Sequence, residues 1–289
     1  MIRLACSDYT FPLLSHEHAI QLVAMMEFEG IDIGLMGGRS HVRPEDVRSD
    51  IPKWSGILSD RVRSAGLKVA DLFVIPWTDF ERMAPNHPDA RQRNDAAALF
   101  RDMLELAVGI NADGITILPG IDWPGESHED CLQRASQELA WRAEEAAKVG
   151  LRFSVEAHTG SVAGSPAQAA RLIEMTPGLK LTLDYSHFVV QGMDEAEIDP
   201  LIRHAGHFHA RGVRQGQLQA PVKDNSLDYN RVVDLLRQEG YDGWIAVEYV
   251  WTEWQRCNEC DNVSESLLLR DWLKSKLAGR DWRYVPPPV

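Results

Sequence analysis

The 289-residue sequence predicts a (β/α)₈ barrel, eight parallel strands closed into a ring and wrapped by helices. Three observations carry that expectation. Apolar runs ending in small or polar residues alternate eight times with amphipathic stretches. Several of the runs are nearly continuous in Val, Ile and Leu, as strands buried on both faces must be. Eight such units in under 290 residues suit a closed barrel better than an open doubly wound sheet, which uses fewer strands in two halves.

In chain order, the first strand is RLACSDY (3–9), and Ser15 after it is placed to cap the first helix. The second and third are IDIGLM (31–36) and LKVADLFVIP (67–76), entered through Gly30 and Gly66. A helix follows with Ala96, Leu99, Met103, Leu106 and Ile110 at spacings of three and four, one apolar face for the sheet. Then come DGITILP (113–119), LRFSVEA (151–157) after Gly150, LKLTLDY (179–185) after Gly178, HFHAR (207–211), and WIAVEYV (244–250) after Gly240. Glycine at these handovers is the expected C-terminal stop of the preceding helix. No linker divides the chain, so residues 1–279 are expected as one barrel domain. The proline-rich tail RDWRYVPPPV (280–289) reads as an extended strap, or as a segment lying across a neighbouring subunit.

Composition narrows the function classes. With 43 Asp plus Glu against 30 Lys plus Arg, the net charge of −13 disfavours any nucleic-acid partner held through phosphate charge. No apolar stretch reaches 18 residues and the N-terminus lacks a leader pattern, so a cytoplasmic protein without a membrane span is expected. Cys6, Cys131, Cys257 and Cys260 are too sparse for a disulfide framework. The pair Cys257 and Cys260 forms a CxxC without a second pair, half of a zinc site, and reads as two loop cysteines.

Chemistry in such a barrel belongs at the C-terminal ends of the strands. There stand Glu156 on the fifth strand, Asp184 on the sixth, His209 on the seventh and Glu248 on the eighth. Three carboxylates and an imidazole at one end of a barrel repel and desolvate one another unless a cation neutralises them. Oxygen-rich ligation with one His suits one divalent ion, Mn²⁺ or Mg²⁺ first, with Co²⁺, Fe²⁺ or Zn²⁺ as further candidates.

On this ordered set, with His187 three residues after Asp184, the chain resembles the xylose isomerase-like barrels, and in particular their ketose 3-epimerase branch. The resemblance covers nearly the whole chain. It implies that Glu156, Asp184, His209 and Glu248 hold one divalent ion, that Glu156 and Glu248 double as acid and base, and that His187 and Arg211 touch the substrate. Where many relatives follow the strand-seven histidine with Lys-Asp, this chain has Ala210, Arg211 and Gly212, so contacts there do not transfer. The implied activity is isomerisation or epimerisation through a metal-stabilised enediolate, in a homo-oligomer acting on a small sugar. The opening ACSDYTFP and the segment GGRSH are similar to metal-binding subunits of bacterial 3-oxo-glycoside lyases. That resemblance implies the alternative of β-elimination from an oxidised glycoside, with a small β-rich second subunit.

Other residues carry two readings each. Trp77, Trp123, Trp251 and Trp254 offer stacking faces for a sugar or aglycone, or cap the barrel or a subunit interface. Arg39 and His41 contact a substrate hydroxyl or simply populate a surface loop. His158 orients a ligand, meets substrate or is structural. His207 is expected to face away from the metal, and His16 and His18 to face solvent. Arg211, Arg214, Gly212 and Gly216 form a candidate anion site, but without a Gly run after strand eight a phosphorylated substrate is disfavoured. The related abasic-site endonucleases use three zinc ions and extra histidines, which PWTDF, PGIDW and VRQGQLQAPVKDNSLD do not supply. A non-catalytic binding barrel is the remaining alternative, and it gives no reason for two acid-base carboxylates.

Overall fold

The computed structural model describes residues 1–285. Every predicted apolar run forms a parallel strand: β1 (Arg3–Ser7), β2 (Gly30–Met36), β3 (Lys68–Ile75), β4 (Gly114–Ile117), β5 (Arg152–Glu156), β6 (Lys180–Asp184), β7 (Ala205–Ala210) and β8 (Trp244–Val247). They pair in sequence order and β8 bonds back to β1, closing the barrel. β2 is buried along its whole length, which is why its sequence is apolar without alternation.

The helices pack as their periodicity requires. Ser15 accepts a hydrogen bond from the backbone N–H of His18 and caps helix His16–Met25. Helix Ala90–Gly109 buries Ala96, Leu99, Met103 and Leu106, and Ile110 after it is buried too. Gly66, Gly150, Gly178 and Gly240 take φ between 72° and 84° at the handovers. Gly30 does not. It opens β2 under the indole of Trp244, where a Cβ would lie 2.6 Å from Cζ3, and the left-handed turn before it falls to Glu27.

Trp244 closes the N-terminal end of the barrel. Its fully buried ring fits because Ala5, Ala70 and Ala246 around it are small, and its Nε1 donates to Asp113 Oδ2 at 2.7 Å. At the tail, Trp282 stacks on Trp272 of the last helix at 5.1 Å, so the strap begins on its own chain; residues 286–289 of the expected tail lie outside the described residues. All four cysteines are free and buried. Burial pushes the Cys257 and Cys260 thiols up to about 11 and about 12. No described helix is long and apolar enough to cross a membrane.

Candidate active site

The C-terminal mouth of the barrel opens into a cavity of about 240 Å³ lined by Glu156, His158, His187, Arg211 and Glu248 among others. Parallel register brings the polar groups to one level: Asp184 is the register partner of His209, Glu156 and Asp184 are the last residues of β5 and β6, and Glu248 follows β8 directly. His209 Nδ1 lies 2.8 Å from Glu156 Oε1 and 3.5 Å from Glu248 Oε2. His187 Nε2 lies 3.7 Å from both Glu156 Oε2 and Asp184 Oδ2. All of these side chains are buried.

The four predicted ligands therefore converge. Glu156, His209 and Glu248 form one group whose ligand atoms lie within 4.8 Å of one another, and Glu156, Asp184 and His187 form another, sharing Glu156. Three buried carboxylates face one guanidinium, a donor set that fits a divalent cation by charge and by chemistry. Burial, reinforced by the charges of Glu248 and Asp184, pushes the Glu156 carboxyl up to about 7 against the opposing pull of His209 beside it. Asp184 goes the other way: burial opposes its charge, but Arg211 and His187 hold it down at about 2.

Arg211 is the residue whose placement differs most from expectation. It sits at 2% exposure with Nε and Nη2 donating to Asp184 Oδ2 at 3.1 and 2.6 Å, and Nη2 also donating to Glu248 Oε2. Its guanidinium compensates the ligand carboxylates as well as facing the cavity. In the loop beyond it, Arg214 is exposed and donates through Nε to Gln217 Oε1 at 2.7 Å.

His158 and His187 both line the cavity, and burial lowers them to about 4 and about 3, so both are neutral near pH 7. Their tautomers follow from their partners. His158 Nδ1 donates to the Thr159 carbonyl, leaving Nε2 as a buried acceptor without a partner. His187 Nδ1 accepts from the Thr159 N–H at 3.4 Å, so its Nε2 carries the proton toward the carboxylates. One thus accepts and the other donates.

The remaining candidates separate. Arg39, Trp251 and Trp254 line the cavity. His41 does not: it stacks on His16 at 5.2 Å and meets the Asp8 carbonyl. Trp123 is tied to Asn86 through Nε1 and packs edge-on against His87, and Trp77 lies under Arg82, so both serve loop packing away from the cavity. Two expectations are corrected. His16 is buried and pairs with Asp8 at 3.0 Å, while His18 is exposed as expected. His207 points into the barrel, because residues two apart on a strand share a face, and its Nε2 lies 2.7 Å from Asp32 Oδ2.

The sequence reading missed the opposite wall. Tyr9, Met36, Phe73, Ile75 and Leu118, from β1 to β4 and the loops after them, form an apolar cluster that faces the carboxylates, with Phe80 and Val250 packed against it. It also missed Asp32, fully buried beneath His209. The available signal was a carboxylate in the middle of the apolar run IDIGLM.

Comparison with known proteins places this geometry. A family model described as xylose isomerase-like TIM barrel matches residues 20–276. Inosose dehydratase of Lacticaseibacillus casei is 27% identical over 141 residues, 42% of this chain and 47% of that protein, so the chain spans about half the length of this curated relative. The 2-oxo-tetronate isomerase of Pectobacterium atrosepticum is 24% identical over 208 residues, 67% of this chain and 76% of that one. The crystal structure of D-psicose 3-epimerase with D-tagatose from Clostridium cellulolyticum H10 superposes with a TM-score of 0.75 at 16% identity, covering 95% of this chain and 99% of that one, a shared fold.

Proposed function

The chain belongs to the xylose isomerase-like TIM barrel family, and we propose that it is a divalent-metal-dependent enzyme that isomerises or epimerises an unphosphorylated sugar by proton transfer next to a carbonyl. The observation that carries this reading is the convergence of Glu156, Asp184, His209 and Glu248, from four consecutive strands, at one end of the barrel, where Glu156 and Glu248 line the cavity. The curated relatives are sugar-modifying enzymes, in line with it.

Glu156, Asp184, His209 and Glu248 would hold the divalent ion, which would supply the positive charge that acidifies a proton on the carbon next to a substrate carbonyl. The chain's own groups do the rest. Glu156, lining the cavity beside His209, is placed to take up and return the proton at the substrate carbon. Glu248 is the second acid-base group, oriented by Arg211. Proton exchange between two carboxylates on one carbon inverts it, and return to the neighbouring carbon isomerises the sugar. The His187 Nε2–H donates to a substrate oxygen while His158 Nε2 accepts from a hydroxyl.

The apolar wall favours a second reading. A free sugar offers hydroxyls on every side, whereas Phe73, Ile75 and Leu118 suit a substrate with one non-polar substituent. If that substituent leaves from the β carbon, proton abstraction by a glutamate drives its departure with the electrons of its bond, and the enzyme is a lyase on 3-oxo-glycosides. A relative named for dehydration is in line with elimination. A homo-oligomer, and a small β-rich second subunit in the lyase case, belong to this proposal.

The test is elemental analysis of the purified protein and of Asp184→Ala after mild chelation and metal readdition. About one ion per chain, lost in the variant, is expected. No retained metal overturns the reading, and about three zinc ions point instead to phosphodiester chemistry. Free ketoses and aryl 3-oxo-glycosides then separate epimerase from lyase, since only a lyase releases the aglycone.

A further inference from the structure

Beneath the carboxylates lies a group with no part in the chemistry above. Asp32, on β2, is fully buried and reaches across the barrel interior to two histidines of β7. Its Oδ2 lies 2.7 Å from His207 Nε2 and 3.2 Å from His209 Nε2. The two imidazole rings meet edge to face at 5.2 Å. A carboxylate without solvent is costly unless donors satisfy it, and here both available donors are imidazole N–H groups. An ionised Asp32 has no proton to give, so both Nε2 atoms must carry theirs.

We infer that Asp32 is a positioning residue: by accepting from Nε2–H it fixes the His209 tautomer and ring orientation so that Nδ1 is the nitrogen presented to Glu156, Glu248 and the ion they hold. Three geometric facts support it. The two nitrogens of His209 face opposite ways, Nε2 down to Asp32 and Nδ1 up to Glu156 at 2.8 Å. Phe73 packs against the ring at 5.6 Å, limiting its rotation. His207 has a single bond through Nε2, its Nδ1 being unpartnered, so its attachment to the barrel is this same carboxylate. Carboxylate, imidazole and ligand position thus stand in one line, the arrangement that orients metal-binding histidines in general. Asp32, His207 and His209 are close enough to form a ligand group themselves. The shared oxygen at hydrogen-bonding distance from both rings favours two N–H donors over a second ion.

This inference rests on the proposed metal reading, and the experiment separates the two. Asp32→Asn removes the charge: its amide either turns NH₂ toward the histidines, so that one imidazole must offer a lone pair, or keeps oxygen there as a neutral, weaker acceptor, and both outcomes loosen the hold on the His209 Nε2–H. Zn²⁺ is the probe, because it is diamagnetic. Competition with a chromogenic chelator is expected to show roughly 10- to 100-fold weaker Zn²⁺ binding in Asp32→Asn, while His207→Gln, which leaves the Asp32 to His209 bond in place, stays within about threefold of wild type. ¹⁵N correlation spectra of wild-type protein are expected to show His209 protonated at Nε2 with and without Zn²⁺, and Asp32→Asn to shift or lose that N–H signal. Unchanged affinity in Asp32→Asn, an equal loss in His207→Gln, a His209 bearing its proton only at Nδ1, or two Zn²⁺ per chain each overturn the inference. Failure of the wild type to bind Zn²⁺ or Mn²⁺ counts against the proposed function instead, and the metal-free Nε2–H signal still decides this inference. If Asp32→Asn does not fold, the wild-type spectra alone decide it.

Discussion

The two halves of the barrel mouth are built from the same strand-loop units yet carry opposite chemistry. β5 to β8 end in Glu156, Asp184, His209 and Glu248, compensated by Arg211. β1 to β4 and their loops present Tyr9, Met36, Phe73, Ile75 and Leu118. Both halves are buried, so solvent does not explain the difference. A carboxylate that exchanges protons needs counter-charge and donors within a few ångströms, and the β5 to β8 half concentrates them. A wall that selects substrate by shape needs none, and polar groups there would compete for the same ion.

The sharpest way to break this division is Glu248→Gln. If the charged half does the chemistry, turnover of whatever substrate the protein accepts falls by about 10³-fold, the loss expected for a general acid-base group. Thermal unfolding of the variant is expected to stay close to wild type, because Gln fills the same volume and keeps an acceptor for Arg211. Undiminished turnover measured at saturating substrate removes Glu248 from the mechanism.

Arg211→Met tests the electrostatic side of the same half. It leaves Asp184 and Glu248 buried without their guanidinium, and breaking a buried pair typically costs about 3 to 5 kcal/mol. Urea midpoints without added metal are expected to fall accordingly. Millimolar Mn²⁺ is expected to restore much of the loss, since the ion supplies the missing positive charge. A loss that Mn²⁺ does not recover means that Arg211 acts through packing.

The charged half was legible in the sequence and the apolar half was not, for a physical reason. Carboxylates at the ends of Val-rich strands violate the local pattern, so Glu156, Asp184 and Glu248 stand out one by one. Phe73, Ile75 and Leu118 obey the pattern of buried strands, and nothing local distinguishes a residue packed under a helix from one lining a cavity. Asp32 broke the pattern as visibly as Glu156 did, but it lies early in its strand, where a catalytic residue is not expected. His41 and Trp123 sit on the correct loops and turn away from the cavity, because His16 and Asn86 hold them. Loop residues reveal their segment in sequence but not their direction, which tertiary partners set.

A smaller effect separates the neutral histidines from the charged half. Burial lowers His158 from about 6.5 to about 4, so the unfolded chain takes up a proton at a higher pH than the folded one. The stability this site contributes is complete above pH 6.5 and declines as pH falls through 4, by about 3 kcal/mol at 1.36 kcal/mol per pKa unit. His158→Asn is expected to flatten the urea midpoint over that window relative to wild type. An equally steep acid loss in the variant places the titration elsewhere.

The apolar half is tested by affinity rather than turnover. Leu118→Ala removes three carbons from the cavity wall, and Trp251→Ala removes the half-exposed ring at its rim. If this half reads a non-polar substituent, each variant raises KM about 10-fold for an aryl-bearing substrate and leaves kcat within about threefold, because a hydrophobic contact of this size is worth roughly 1 to 3 kcal/mol in ground and transition state alike. The same variants leave KM for a free ketose nearly unchanged, since its hydroxyls engage His158, His187 and the carboxylates instead. Equal KM changes for both substrates mean that the wall serves only to exclude water. A fall in kcat without a change in KM means that the wall positions the reacting carbon. The two halves would then act as one catalytic surface, and the division drawn from their chemistry would be wrong.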